Sequence, residues 1–500
     1  MNVAANLETS TLYFPKSPAL VTGEKEMTYA EFNDRTNRLA TGLLKMGLRP
    51  GEHVAICASN SEEWPISYFA ILKAGGVVIS LASLLSSDEL RMLLEHSKPR
   101  FLFTNSERLK DIDGLRGNQG IEKVICPDGD ITFDHVISSG LSSFRSLERD
   151  RTDTAVILYT GGTTGMPKGV MLTHENINHP AHNVAFCERT TQGDRALCAL
   201  PLHHVFAVVH IMTSTIMSGA CLEILPGFDM ETVLSVIEAG QVTKFFAVPT
   251  VYTRFVTLDH LEHIMRNIRY CFCSGSAIAV EIMRQWKERT GLNMHEGYGM
   301  TETASAVTFN HMYRHVPGSV GTVVPGCEVQ IRDAAGNILE TGKEGEVCMR
   351  GPNMMKGYLN NPEATEEAFW EKGWLRSGDI GVLDEDGYLT IVDRLKDLII
   401  TGGENVYPRE VEEAIYLNEG VAECAVIGAP DKVWGERVVA YIIPKVDVSI
   451  TADGLKAFLK TRLAPFKVPK EYIFTTEFPK STAGKVLKRE IKRQHLEKNK

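Results

Sequence analysis

No charged stretch followed by an apolar one opens the 500 residues, so no secretory signal is visible. The sequence lacks a disulfide framework. Its ten cysteines are scattered without regular spacing. Cys271 and Cys273 lie close together, but no second metal-spaced pair accompanies them, so buried reduced thiols are expected. It lacks positive charge. Lys and Arg number 53 against 63 Asp and Glu, and a net charge of −10 gives no footprint for nucleic acid. The basic stretch 485–500, with seven Lys or Arg, reads as a solvated helix face. Long apolar runs are missing too. Residues 205–225 come nearest, but His210, Thr213, Ser214, Thr215, Ser218 and Gly219 interrupt them. A buried core helix is expected there, not a membrane span. Internal repeats and low-complexity tracts are absent. These absences favour a cytoplasmic protein.

What remains is a chain too long for one hydrophobic core, so two or more domains are expected. Helical and strand patterns alternate through its first part. Thr28-Tyr-Ala-Glu31 reads as a capping box opening a helix. Residues 53–57, 77–81, 155–159, 244–248 and 270–273 read as apolar strands, with a helix over 64–74. Alternation of this kind predicts an α/β fold with parallel-rich sheets. After about Gly318, short strands between Gly and Pro dominate: 329–332, 345–350 and 387–392. They predict a small barrel-like subdomain. From 397 onward, helices over 408–417 and 451–463 and strands over 422–428 and 438–444 suggest a small α+β domain. The expected division is 1–393, a boundary at 394–396, and 397–500.

One loop stands out. The strand 155–159 runs into Thr160, Gly161, Gly162, Thr163, Thr164 and Gly165, with Lys168 after Pro167. Glycines let backbone amides approach a phosphate, threonines add hydroxyl donors and lysine adds charge. The nucleotide-binding Walker pattern is excluded, because it needs Gly-Lys-Ser/Thr opening a helix. Here Pro167 disfavours helix in the residue before it. By itself the loop leaves a bland Gly/Thr surface turn as the lesser alternative.

The loop has company, in a fixed order along the chain: Met27-Thr-Tyr-Ala-Glu31, Lys73-Ala-Gly-Gly76, the 160–168 loop, Leu200-Pro-Leu-His-His204, Gly297-Tyr-Gly-Met-Thr-Glu302, Ser377-Gly-Asp379, Asp393-Arg-Leu-Lys396 and Pro479-Lys-Ser-Thr-Ala-Gly-Lys485. On these motifs the chain resembles, over nearly its whole length, the adenylate-forming superfamily: acyl- and aryl-CoA ligases, firefly luciferase and the adenylation domains of peptide synthetases. Gly161 departs from the pattern, since many members have Ser there.

The resemblance implies a reaction in which a carboxylate attacks the α-phosphorus of ATP, expelling pyrophosphate, before the acyl group passes to the thiol of CoA. Both first reactants are anions, so positioning and charge neutralisation carry the chemistry. It implies roles for residues of this sequence. Thr301 would hold the α-phosphate and Glu302 would ligate Mg2+, an ion content with one or two carboxylates plus phosphate and water. Asp379 and Arg394 would take the ribose. The adenine would lie between Ser274-Gly275-Ser276-Ala277 and Glu296-Gly297-Tyr298-Gly299. Lys485 would bridge the carboxylate and the α-phosphate from a mobile C-terminal domain. Lys396 would be the hinge, and Gly402 and Gly403 would line the thiol tunnel.

The acid pocket is implied around His204, Phe206, His210, Gly275 and Gly299, with His204 also at the reacting carboxylate. His203 and His204 lack a third ligand at metal spacing. Acetate-specific relatives carry Trp at the position of Gly299, so an acid larger than acetate is expected: fatty, cyclic or aromatic. An amino-acid adenylating enzyme stays open as an alternative, although only fifteen residues follow Lys485, leaving no room for a fused carrier. A luciferase-type oxygenase finds no support in the motifs. Lys485 argues against a nucleotide-binding regulator without turnover. Oligomeric state stays open.

Overall fold

The computed structural model describes residues 1–112, 115, 120–160, 167–446, 448–481 and 484–498. Three sheets build the larger part of the chain. In the first, five parallel strands run Thr154–Thr160, Val77–Ser80, His53–Cys57, Phe101–Thr104 and Lys123–Ile125 across the sheet. Lys168–Thr173 and Gly357–Tyr358 extend one edge antiparallel. The second sheet has nine strands. Its parallel centre runs Met294–Met300, Tyr270–Cys273, Lys244–Ala247, Arg195–Cys198, Cys221–Ile224 and Pro18–Thr22. Fully buried, mostly apolar strands such as Lys244–Ala247 and Tyr270–Cys273 are what a sheet covered on both faces demands.

The third sheet is the expected half-barrel: Glu328–Arg332, Gly345–Arg350, Trp374–Leu383, Phe369–Trp370 and Leu389–Arg394, antiparallel throughout. Beyond it, residues 399–491 carry separate apolar clusters under a five-stranded sheet built on the long hairpin Val421–Asp431 and Gly435–Pro444. The predicted elements recur with their ends shifted by up to three residues.

The 205–225 segment is the exception. It is π-helical over Phe206–Thr213 and α-helical over Ser214–Met217. It then turns at Gly219 (φ +71°) and continues as the strand Cys221–Ile224. Gly219 ends the helix, and Cys221, Leu222, Glu223 and Ile224 beyond it pair with Arg195–Cys198, so the expected single helix covers only the first half. Among the described residues no helix is long and apolar enough to cross a membrane.

Two local predictions hold at atomic level. Thr28 and Glu31 form a reciprocal capping box at the start of Tyr29–Lys45. All ten cysteines are free thiols, nine of them buried. Lys73 is completely buried, and its ammonium spends all three donors on Glu8 (2.9 Å), Asn33 (2.8 Å) and Asn37 (2.7 Å). This staple ties the amino-terminal helix Ala5–Tyr13 to the helices Tyr29–Lys45 and Glu63–Lys73.

Candidate active site

Five segments from three sheets converge on one cleft. The strand Thr154–Thr160 leads towards it and Lys168–Thr173 leads away, paired antiparallel with Thr160 opposite Lys168. A strand, not a helix, follows the phosphate loop, as the exclusion of the Walker pattern required. Gly161, Gly162, Thr163 and Thr164 lie outside the described residues. The Lys168 ammonium sits over the Tyr358 ring, 4.6 Å from its centroid. The Tyr358 hydroxyl donates to Glu302 Oε1 at 3.0 Å. Loop base and Glu302 are thereby joined through a tyrosine that the motifs did not reveal.

Glu302 lies in the single 3-10 turn Thr301–Thr303 that ends the strand Met294–Met300. Burial pushes its carboxyl above the usual range, against Tyr358, Lys168 and Arg394. The backbone after it is strained, with φ of +53° at Ala304 and +140° at Ser305. The Thr303 hydroxyl holds that shape by donating to the Ser305 carbonyl at 2.6 Å. Among the described residues no three His, Cys, Asp or Glu side chains cluster as a metal cage. One buried carboxylate beside hydroxyl groups instead suits Mg2+, which takes its other ligands from phosphate and water.

Asp379 is held by two partners. Tyr298 donates its hydroxyl to Asp379 Oδ2 at 2.6 Å, and Arg394 Nε lies 3.4 Å from Oδ1. The hairpin register places Asp379 directly opposite Arg394. Burial raises the Asp379 carboxyl, opposed by Arg394, Tyr298, Lys396 and Lys485. Gly297 is glycine because a Cβ there would stand 2.8 Å from the Thr308 carbonyl and 2.9 Å from the Phe272 ring. Ser276 and Ala277 are open to the cleft. Glu296 behaves differently from expectation. Its carboxyl is buried at 4 % exposure and takes the Ile278 amide, so it props the loop that frames the adenine region from below. Burial, with Glu413 adding and Arg409 opposing, raises it to about 8.

Lys485 reaches the same cleft from the far end of the chain. Thr250 donates to the Gly484 carbonyl at 3.3 Å, docking the tip of the loop on the helix Pro249–Phe255. The Lys485 Cε lies 3.2 Å from where a Cβ on Gly275 would stand, so the absence of a side chain at 275 admits it. Burial lowers the Lys485 amine to about 8, with Arg394 adding and Asp379 opposing. His204 is open to the cleft yet lies deep within it. Burial chiefly, then Lys485 and His203, lowers its imidazole to about 3, so it is neutral. The Phe206 amide donates to its Nδ1 at 3.2 Å, which leaves the proton on Nε2. A neutral imidazole with a free donor can hold a carboxylate without competing for its proton.

The acid side differs in detail from the expected pocket. Gly299 is open to the cleft, but a Cβ on it would stand 1.9 Å from the Ser305 carbonyl. Close approach of the neighbouring strand therefore fixes glycine there. His210 is 1 % exposed, among Phe206, Phe272 and Phe309, so it lies beneath the cleft and not along it.

Lys396 is an exposed residue near Asp379; partial desolvation of its amine, with Arg394 adding, lowers it. Gly402 and Gly403 are not brought to the cleft. Gly402 packs against Trp434, and Gly403 shares a crevice with Glu344, Val392 and Tyr407.

The family model for AMP-binding enzymes matches residues 7–359, and that for the AMP-binding enzyme C-terminal domain matches 410–485. The chain belongs to the AMP-binding enzyme family. It is an AMP-forming acyl-CoA synthetase: it joins a carboxylic acid to CoA through an acyl-adenylate. A feruloyl-CoA synthase from Amycolatopsis is 36% identical over 484 residues, 96% of each chain. The ATP-bound crystal structure of MatB from Rhodopseudomonas palustris is 32% identical and superposes with a TM-score of 0.93 over 99% of both chains. The apo structure of that same protein superposes with a TM-score of 0.83. The chain superposes more closely on the ATP-bound form of that relative than on its apo form.

Proposed function

We propose that residues 1–393 bind ATP and the acid, that 397–500 form a domain turning about 394–396, and that the arrangement described is the adenylating one. Lys485 carries this reading. It is buried beside Asp379, Arg394 and the Gly275 backbone, where an α-phosphate and a carboxylate would meet. The amine neutralises charge on both anions as the carboxylate oxygen attacks phosphorus and pyrophosphate leaves. His204 Nε2 orients the acid, Thr301 holds the α-phosphate, and Tyr298 with Asp379 and Arg394 fixes the ribose. Thr160, Lys168 and the loop between them cover the outgoing pyrophosphate. Ser276, Ala277 and Gly297 frame the adenine. Glu302 would hold Mg2+, which would supply charge neutralisation at the departing group. For the second half-reaction, turning at Lys396 withdraws Lys485 and brings Gly402 and Gly403 to the adenylate, so that CoA enters beside residues without side chains.

The acid is larger than acetate and apolar, since the floor of the cleft is aromatic. Acid-dependent pyrophosphate release, followed by CoA-dependent AMP release, tests the assignment across a panel of acids. A preference for acetate would sink the acid assignment. Activity with amino acids in place of these acids would move the enzyme to the carrier-loading class.

A further inference from the structure

Beneath the acid end of the cleft lies a buried charge pair that adenylation does not use. Lys244, on the strand Lys244–Ala247, is 0 % exposed, and Glu188, at the end of the helix His174–Cys187, is 1 % exposed. Lys244 Nζ stands 2.9 Å from Glu188 Oε2, donates to Thr190, and lies over the Tyr270 ring. The other Glu188 oxygen accepts from His210 Nε2 at 2.8 Å. Burial alone would push the Glu188 carboxyl up. Lys244 and His210 overcome it and hold the group ionised.

The proton on Nε2 fixes the rest of the His210 ring. Nδ1 lies 3.3 Å from the Ser305 hydroxyl, which can partner it as donor or acceptor. Both nitrogens are then committed to protein, and an acid meets only the ring. That ring is wedged between Phe272 (4.4 Å between centroids), Phe206 (5.0 Å) and Phe309 (5.7 Å, stacked). None of the four rings is more than 6 % exposed, while His204 and Gly299 just above are open. The cleft therefore ends on this cluster. A histidine held by aromatic packing alone could swing aside for a longer acid. This one would leave Oε1 of an ionised, buried carboxylate without its partner, with only Oε2 still held by Lys244.

We infer that Lys244, Glu188 and His210 form a fixed floor that limits the enzyme to compact acids, of one ring or a short chain, and excludes long-chain fatty acids. The inference rests on the ligase reading above. Glu188 and Lys244 are positioning residues that act through His210, which is the specificity-determining contact.

The test compares benzoate, 4-butylbenzoate and dodecanoate by kcat/KM for pyrophosphate release. Wild type should favour benzoate over both longer acids by about tenfold or more, the scale on which a packed apolar pocket discriminates added methylenes. His210→Ala should move the 4-butylbenzoate to benzoate ratio at least about tenfold towards the longer acid. Glu188→Gln keeps shape and loses charge, so it should move the ratio the same way by less, and Lys244→Arg should keep the wild-type order. A ratio measured within one variant does not depend on how much of it folds. Wild-type preference for dodecanoate, or an unchanged ratio in His210→Ala, overturns the floor. Should His210→Ala not fold, the wild-type order decides alone. Pyrophosphate from none of the acids overturns the ligase reading itself, a different result from activity with the wrong order.

Discussion

The Tyr298 hydroxyl lies 2.6 Å from Asp379 Oδ2, across a gap of 81 residues in sequence. It reaches from the nine-stranded sheet to the half-barrel and ties the two sheets together at Asp379. Removing the hydroxyl frees Asp379 without removing its charge. A net hydrogen bond of about 0.5–1.5 kcal/mol predicts that Tyr298→Phe raises KM for ATP roughly fivefold. The adenylation kcat should stay within about twofold, since Tyr298 touches no reacting atom. Steady-state kinetics with varied ATP checks this.

Lys485→Ala should separate the half-reactions. Loss of a preorganised charge at the reacting centre costs on the order of 10²–10³ in rate. Pyrophosphate release should fall by that amount while ATP still binds, as read by equilibrium binding. Transfer from chemically supplied acyl-adenylate to CoA should survive, because Lys485 is withdrawn at that stage. Intact pyrophosphate release in the variant would refute the assignment.

The lowered Lys485 amine sets a pH dependence. With the loop docked its value is about 8, against 10.5 for a free lysine. Below about 8 the amine is cationic and competent, and above it the charge is lost. The kcat/KM for adenylation should therefore fall on the alkaline side with a midpoint near 8, and Lys485→Arg should abolish that limb. Between 8 and 10.5 the undocked loop binds more protons than the docked one, so raising the pH through this window favours docking. Protection of the 484–498 amides in hydrogen exchange should rise accordingly in the absence of ATP.

Gly403 has φ of +87° and open space where a Cβ would stand, with nothing within 4 Å, whereas a Cβ on Gly402 would press on Trp434 at 2.7 Å. Gly403 is thus the cleaner probe of the thiol path. Gly403→Leu should leave pyrophosphate release within about threefold, allowing for a strained backbone of about 1 kcal/mol. Acyl-CoA formation should fall more than tenfold, with adenylate accumulating. Equal losses in both steps would remove Gly403 from the tunnel.

Much of this architecture was legible in the sequence because it is local. The strands 53–57, 270–273 and 345–350 are written in apolar runs between turn residues, and their limits coincide with the structure. The capping box at Thr28 needs only four residues. The order of motifs from Thr160 to Lys485 brought the reacting groups together on paper. What stayed hidden depends on distant partners. Tyr358, Thr250 and Glu188 carry no motif, and their partners lie 56, 234 and 22 residues away. His210 shows the same limit from the other side. Its position pointed to the pocket wall, but only its two committed nitrogens reveal that it closes the pocket instead of lining it. Strand Cys221–Ile224 escaped because a run of four mostly apolar residues fits a helix as well as a strand.

The staple at Lys73 bears on where this enzyme can be trimmed. Its ammonium has no water to fall back on, and Glu8 supplies the only carboxylate that pairs with it among the described residues. The first helix is thus a counter-ion delivered by the backbone. A shortened chain beginning after Glu8 would have to leave a cation dry between two helices, so a minimal catalytic fragment must retain the opening residues although none of them touches the cleft.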